Sequence, residues 1–313
     1  MAHLFAGTSG FAYTQWKPRF YPKDVPQKKF LDYYASRLNS VEINYTFRRL
    51  PAAATLENWV RSTPSGFVFC LKAHMRITHI RRLKDAGEAT EVFLQAIDPL
   101  RSVRRLGPVL FQLPPNFKSD AAVLADFLPL LPGDMRFAFE FRHPSWLNDT
   151  VYRLLEERNI CLCLAESEKL EVPHVITADF VYFRLRKPEY TQADLVEIEG
   201  KCGDLLGSGK DLFVFFKHED TPEGALYAED LLRRAGHELP EIHLEAFTFR
   251  RLQADIRLLD VTHHAQISFA GVHDIERAAK SEIDAESHGI GRVLQSQLCL
   301  VETELICSYI EIP

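Results

Sequence analysis

Eight short apolar runs recur along the first 220 residues, at 4–9, 41–47, 67–73, 109–113, 137–142, 160–166, 180–185 and 211–217. Each carries a polar or charged residue at its last or next-to-last position. Runs of this length, rich in Val, Phe and Ile and bounded by Pro, Gly or polar residues, predict buried strands. The spacers predict helices at 26–37, 52–61, 88–105, 119–130, 148–158, 191–206 and 222–235. The spacer at 167–179 is short and contains Pro173, so a vestigial helix is expected there. Strands alternating with helices eight times predict an α/β fold, a (β/α)8 TIM-type barrel over residues 1–236. That fold places chemistry at the C-terminal ends of the strands.

Alternation within the runs assigns their faces, because successive strand residues point to opposite sides of a sheet. One parity is bulky: Val41, Ile43 and Tyr45; Phe67, Phe69 and Leu71; Val109, Phe111 and Leu113; Phe137, Phe139 and Phe141; Leu162 and Leu164; Val181, Phe183 and Leu185; Phe213 and Phe215. It is expected to pack under the helices. The other holds small and polar residues: Glu42 and Asn44; Cys70, Lys72 and His74; Gln112; Ala138, Glu140 and Arg142; Cys161 and Cys163; Tyr182 and Arg184; Phe216 and His218. It is expected to line the barrel. Buried charges are costly unless paired, so this ring reads as a site more readily than as a core.

Apolar content of 46% and charged content of 26% suit a globular protein, and no run approaches the length of a membrane span. The first residues already read as strand, so no signal peptide is expected. Six cysteines without a C-x-x-C spacing point to reduced thiols and a cytoplasmic setting. Charge is uneven. Residues 1–236 carry 31 Lys and Arg against 30 Asp and Glu, whereas 237–313 carry 6 against 13. The barrel lacks the basic excess of a general nucleic-acid binder, which makes nucleic acid a poor expectation without closing off a local basic pocket. The acidic 237–313 extension reads as a small α+β element, a self-association or partner-binding piece, or a poorly ordered tail. Strands at 242–249, 293–301 and 305–312 and a helix at 273–286 are its candidate elements.

Several motifs occur in order: GTSGF at 7–11, Trp16 with Phe20, Tyr21 and Pro22, VEINYTF at 41–47, FCLKA at 69–73, ITH at 77–79, LFQLPP at 110–115, EFRHPSW at 140–146 and YFRL at 182–185. Over about residues 4–235 the chain resembles the YecE-like family, a domain-of-unknown-function group. The resemblance implies a barrel and supplies no reaction. Two departures stand out. Members usually continue the seventh strand as R-L-H-G, where this chain has Arg184, Leu185, Arg186 and Lys187; the eighth usually ends in an Asn pair, where this chain has Lys217 and His218. A shared ligand would here meet cations in place of amides.

The candidate chemistry follows from the interior parity. Glu42 and Glu140 are candidate acid and base, with Lys72 as a third catalytic group. Arg142 and Arg184 suit bidentate binding of a carboxylate or phosphate. Ser9 and Gly10, which end the first strand, and the amides Asn44 and Gln112 are candidate ligand contacts, as are His79, His143, Trp146 and His218. Lys72 also invites a Schiff-base reading. The same charges could instead pair internally and fill the barrel. Glu42, Glu140, His143 and His218 could be assembled into a divalent-metal site, but there is no H-x-H or H-E-x-x-H and three cations oppose it. No cofactor is predicted. The expectation is a barrel enzyme, an isomerase, lyase or hydrolase, acting by acid–base chemistry on a small anionic or phosphorylated, polyhydroxylated ligand. A metal-dependent phosphodiesterase-like barrel and a non-catalytic ligand-binding scaffold are the alternatives.

Overall fold

The computed structural model describes residues 2–236. The elements run β1 (Leu4–Thr8), α1 (Phe30–Arg37), β2 (Ser40–Ile43), α2 (Ala53–Arg61), β3 (Val68–Lys72), α3 (Gly87–Ser102), β4 (Leu106–Gln112), α4 (Ala121–Phe127), β5 (Phe137–Glu140), α5 (Asp149–Glu156), β6 (Cys161–Leu162), β7 (Leu164–Ala165), β8 (Phe180–Leu185), α6 (Gln192–Gly207), β9 (Asp211–Phe216) and α7 (Glu223–Arg234). All strand pairings between them are parallel. Their order is that of a (β/α)8 barrel, hydrogen-bonded as two sheets, β2-β3-β4-β5-β6 and β7-β8-β9-β1.

The two breaks between the sheets have local causes. The sixth barrel strand is interrupted at Cys163, so its first half ladders to β5 and its second half to β8. Between β1 and β2 the regular ladder is replaced by a single Ser9–Glu42 bridge. Asn39 completes this seam: its side-chain oxygen accepts from the Ala6 N–H (2.9 Å) and its amide donates to the Leu4 carbonyl (2.8 Å). The backbones also approach closely there, and a Cβ on Gly7 would fall 1.9 Å from the Ser40 carbonyl oxygen. Among the described residues no helix is long and apolar enough to cross a membrane.

Helix boundaries follow the sequence expectation to within a few residues, and no helix fills 167–179. Side-chain caps explain several starts. Asn148 caps α5 and Asp120 caps α4, while Thr191 and Asp194 form a capping box on α6. Helix α7 begins behind Pro222 with no side-chain cap.

The outer core between strands and helices takes the bulky parity, including Val41, Phe69, Phe111, Phe139 and Phe183. The inner core holds Cys70, Leu110, Ala138, Cys161, Cys163 and Tyr182. Two expectations fail. Phe213 and Phe215 line the barrel interior, while Leu212, Val214 and Phe216 pack outward. The register explains it: Phe213 and Phe215 pair with Tyr182 and Arg184, whose side chains point inward. Bulky residues on both faces of β9 left nothing in the sequence to separate them. Tyr45 does not pack under a helix, because β2 ends at Ile43 and Tyr45 opens a one-turn helix, where it is 48% exposed. The extension at 237–313 and its candidate elements lie outside the described residues.

The seam yields a stability prediction. Gly7→Ala forces the β1 and β2 backbones apart and should cost roughly 2–3 kcal/mol in urea unfolding, the upper part of the overpacking range. Gly66→Ala, where a new Cβ meets nothing within 4 Å, should change stability by less than about 0.5 kcal/mol.

Candidate functional site

Polar side chains form a layer at the C-terminal end of the barrel. Lys72, Gln112 and Glu140 are the last residues of β3, β4 and β5, and Glu42 and Arg184 are next to last in β2 and β8. Interior parity and a shared strand end bring them together. The three cysteines and the aromatic rings of the inner core lie on the same interior face. Arg184, 2% exposed, joins the two carboxylates. Its Nη2 donates to Glu42 Oε1 at 2.6 Å and its Nη1 donates to Glu140 Oε2. Glu42 also accepts from Ser9 Oγ (2.7 Å) and Tyr182 Oη (2.8 Å). Glu140 accepts from Gln112 Nε2 (2.7 Å), Arg142 Nε (2.9 Å) and Arg186 Nη2 (3.0 Å). The Gln112 oxygen in turn accepts from Lys72 Nζ at 2.7 Å.

These contacts set the protonation states. Burial alone would raise both carboxyls, but the positive charge of Arg184, joined at Glu140 by Arg186 and Arg142, outweighs it and holds both below the usual carboxylate range. Both are therefore ionised near neutrality, and neither is set up as a general acid there. Burial first, then the field of Arg184 and Arg142, lowers Lys72 to about 8 despite the two carboxylates. His79, with Nδ1 2.9 Å from Thr78 Oγ1 and its ring edge-on to Phe47, is lowered to about 4 by burial and by Lys72 and Arg142, which leaves it neutral.

The remaining expected residues sort into three groups. Gly10 has φ +101°, and a Cβ there would fall 2.4 Å from the Tyr13 hydroxyl that donates to the Ser9 carbonyl, so glycine is required where β1 turns out of the layer. Asn44 is half-buried at the end of β2, and its side chain caps nothing. His143 stands beside Arg142, but its Nδ1 accepts from the Ser145 N–H and caps the following turn. Trp146 and His218 do not face the polar layer. Trp146 is fully buried, stacked on Phe141 at 4.9 Å with its indole N–H on the Phe117 carbonyl, and anchors its loop. His218 sits behind the end of β9 between Tyr190 and Tyr227, with Nε2 on the Pro188 carbonyl. It turned from the interior with the reversed parity of β9. Its neighbour Lys217 is exposed beside Glu219.

Two participants were not chosen from the sequence. Tyr182 lies two residues before Arg184 and Arg186 two residues after it, on the same face. Tyr182 already stands on the interior parity without being among the candidates, and extending that pattern one step past Arg184 reaches Arg186. Glu166 positions the second of these by accepting from the Arg186 N–H at 2.6 Å.

Four cations surround two carboxylates, an excess of two positive charges with Lys72 protonated. The Nε atoms of Arg184 and Arg186 are buried donors with no acceptor among the described residues. Arg142 is 34% and Arg186 19% exposed, so the excess lies toward the mouth. The carboxylate oxygens are taken by guanidinium, amide and hydroxyl donors. Among the described residues no group of three or more His, Cys, Asp or Glu is placed to hold a metal ion.

A family described as "Protein of unknown function DUF72" matches residues 5–248. The chain belongs to the DUF72 family. The UPF0759 protein YunF of Bacillus subtilis is 30% identical over 272 residues, covering 74% of this chain and 93% of YunF. The UPF0759 protein YecE of Escherichia coli K12 is 30% identical over 152 residues, and the chain spans 55% of its length. A crystal structure of a DUF72 family protein from Thermotoga maritima superposes with a TM-score of 0.67 at 27% identity, over 75% of this chain and 99% of that one. In this DUF72 barrel the resemblance read from the motifs and the fold therefore hold.

The buried network predicts a pH signature. Glu140→Gln removes one partner of a buried ion cluster and should cost about 3–5 kcal/mol at pH 7. Because Glu140 is held below the usual range in the folded state, its contribution is complete above about pH 4.5 and fades as pH falls toward the depressed value. Urea unfolding of the two proteins should thus differ most near neutrality and converge on acidification.

Proposed function

We propose that the barrel mouth binds a small anionic, polyhydroxylated ligand, preferentially a phosphorylated one, and acts on it by proton transfer. The observation that carries this reading is the cationic excess around Glu140, with two buried arginine N–H groups left without acceptors and Arg142 and Arg186 partly exposed. Guanidinium groups bind carboxylate and phosphate oxygens with paired donors, and burial strengthens such contacts. Asn44 supplies an amide suited to a ligand hydroxyl, whereas Gln112 is held between Lys72 and Glu140 and orients the lysine.

The carboxylates take a different part from the one their types first suggest. Glu42 and Glu140 fix Arg184, and Glu140 also draws Arg142 and Arg186 into place. Lys72 is the group that changes protonation near neutrality, so it is the proton-transfer residue of this reading. Arg186 occupies the position where the family resemblance leads to a histidine, which makes this mouth more strongly cationic.

Thermal unfolding with inorganic phosphate, glucose 6-phosphate and gluconate tests the reading. A ligand at a hundredfold its dissociation constant should stabilise the protein by about 2.7 kcal/mol. Arg142→Ala and Arg186→Ala, both at partly exposed positions, should each weaken phosphate binding by about tenfold or more, the size of a charged hydrogen bond. Melting temperatures unmoved by any of the three compounds, or shifts unchanged in both variants, would rule the anion site out.

A further inference from the structure

We propose that Lys72 is a nucleophilic amine that forms an imine with a small aldehyde or ketone carrying a phosphate or carboxylate. This rests on the anion-binding reading of the mouth and names the chemical class of its ligand.

The argument begins with how the four cations are partnered. Arg184, Arg186 and Arg142 each contact Glu140 directly. Lys72 does not: among the described residues it has no carboxylate within ion-pair distance, and its ammonium is held by the neutral oxygen of Gln112. A lysine retained only for charge balance would be expected to take a carboxylate. With an amide as partner, losing the proton leaves no carboxylate unpaired and relieves repulsion from Arg184 and Arg142. Glu140 and Glu42 oppose that loss, yet burial and the arginines prevail.

The surroundings keep the neutral amine aimed. Gln112 is pinned through its own N–H to Glu140, so its oxygen points at Lys72 and accepts an N–H from either protonation state. One side of Nζ is covered by the Phe47 ring, 4.1 Å from its centroid, and His79 packs edge-on against that ring at 4.8 Å. His79 is itself neutral and adds no charge. The amine thus has one N–H fixed, one apolar wall, and Arg142 near enough to act on it, while Arg186 shares Glu140 with Arg142 and adds to the cationic charge available to an anionic group.

The step balances without any further reactant. The amine lone pair attacks the carbonyl carbon, a C–N bond forms and the carbonyl π pair moves to oxygen. The two amine protons leave with that oxygen as water, and the resulting imine takes one proton from solvent to become an iminium. Nothing is oxidised or reduced. An iminium withdraws electrons from the adjacent C–C and C–H bonds, which favours a lyase or isomerase over a hydrolase.

The test uses pyridoxal 5′-phosphate, a probe carrying both an aldehyde and a phosphate, with the full chain, borohydride reduction and peptide mass mapping. The expected result is one label per chain, on Lys72, suppressed by inorganic phosphate. Its rate should rise about tenfold per pH unit and level off above about pH 8. Lys72→Arg should lose the label while keeping the thermal shift with inorganic phosphate, which shows that the variant is folded and its anion site intact. Labelling spread over exposed lysines such as Lys84 and Lys187, with Lys72 unmodified and the phosphate shift present, would overturn the imine and spare the anion site. Labelling of Lys72 that phosphate does not suppress, with no phosphate shift, would overturn the anionic substrate class and the reading beneath it.

Discussion

Arg184 donates to one carboxylate from β2 and another from β5, and the upper interior of the barrel is organised around that bridge. Neither carboxylate could remain charged in so buried a position alone, because removing an ion from water costs several kcal/mol even after relaxation. The guanidinium returns that cost only with good geometry on both sides, so β2, β5 and β8 are constrained together. Ser9 adds a second donor to the Glu42 oxygen that Arg184 holds, and Tyr182 donates to the other. At Glu140, Gln112 shares one oxygen with Arg184, while Arg142 and Arg186 take the other.

The chemistry of the mouth follows from this constraint. Carboxylates that saturate their oxygens with arginine donors are anchors, and they lose the freedom to exchange protons near neutrality. The same saturation leaves Lys72 with an amide, and so leaves it the titrating group. Arg142 and Arg186 reach Glu140 with only part of their donor sets, both are partly exposed, and Arg186 Nε is left buried without an acceptor. One buried ion cluster therefore produces both an anchored layer and an unsatisfied cationic rim.

Much of this was legible in the chain. The strands, most helices and the interior assignment of Glu42, Lys72, Gln112, Glu140 and Arg184 come from period-two alternation, a local property that survives any tertiary arrangement. The failures are also local in origin. Strand β9 carries bulky residues on both faces, so its orientation was decided by pairing with β8, and His218 was carried away from the mouth with it. Trp146 looked like a binding aromatic because its neighbours in sequence are polar, yet the fold places Phe141 and Phe117 against it.

The sequence by itself determined the alternating architecture, the family and the set of charges facing the barrel interior, because each depends on residue type and short-range spacing. Only the tertiary structure decided which charge meets which. Arg184 and Glu42 are 142 positions apart, and Lys72 and Gln112 are 40 apart. Strand spacing says that such groups share a barrel, but not which carboxylate takes the arginines or that the lysine is left with an amide. That partition depends on register and distance across the barrel interior, where a shift of one residue turns a side chain to the opposite face.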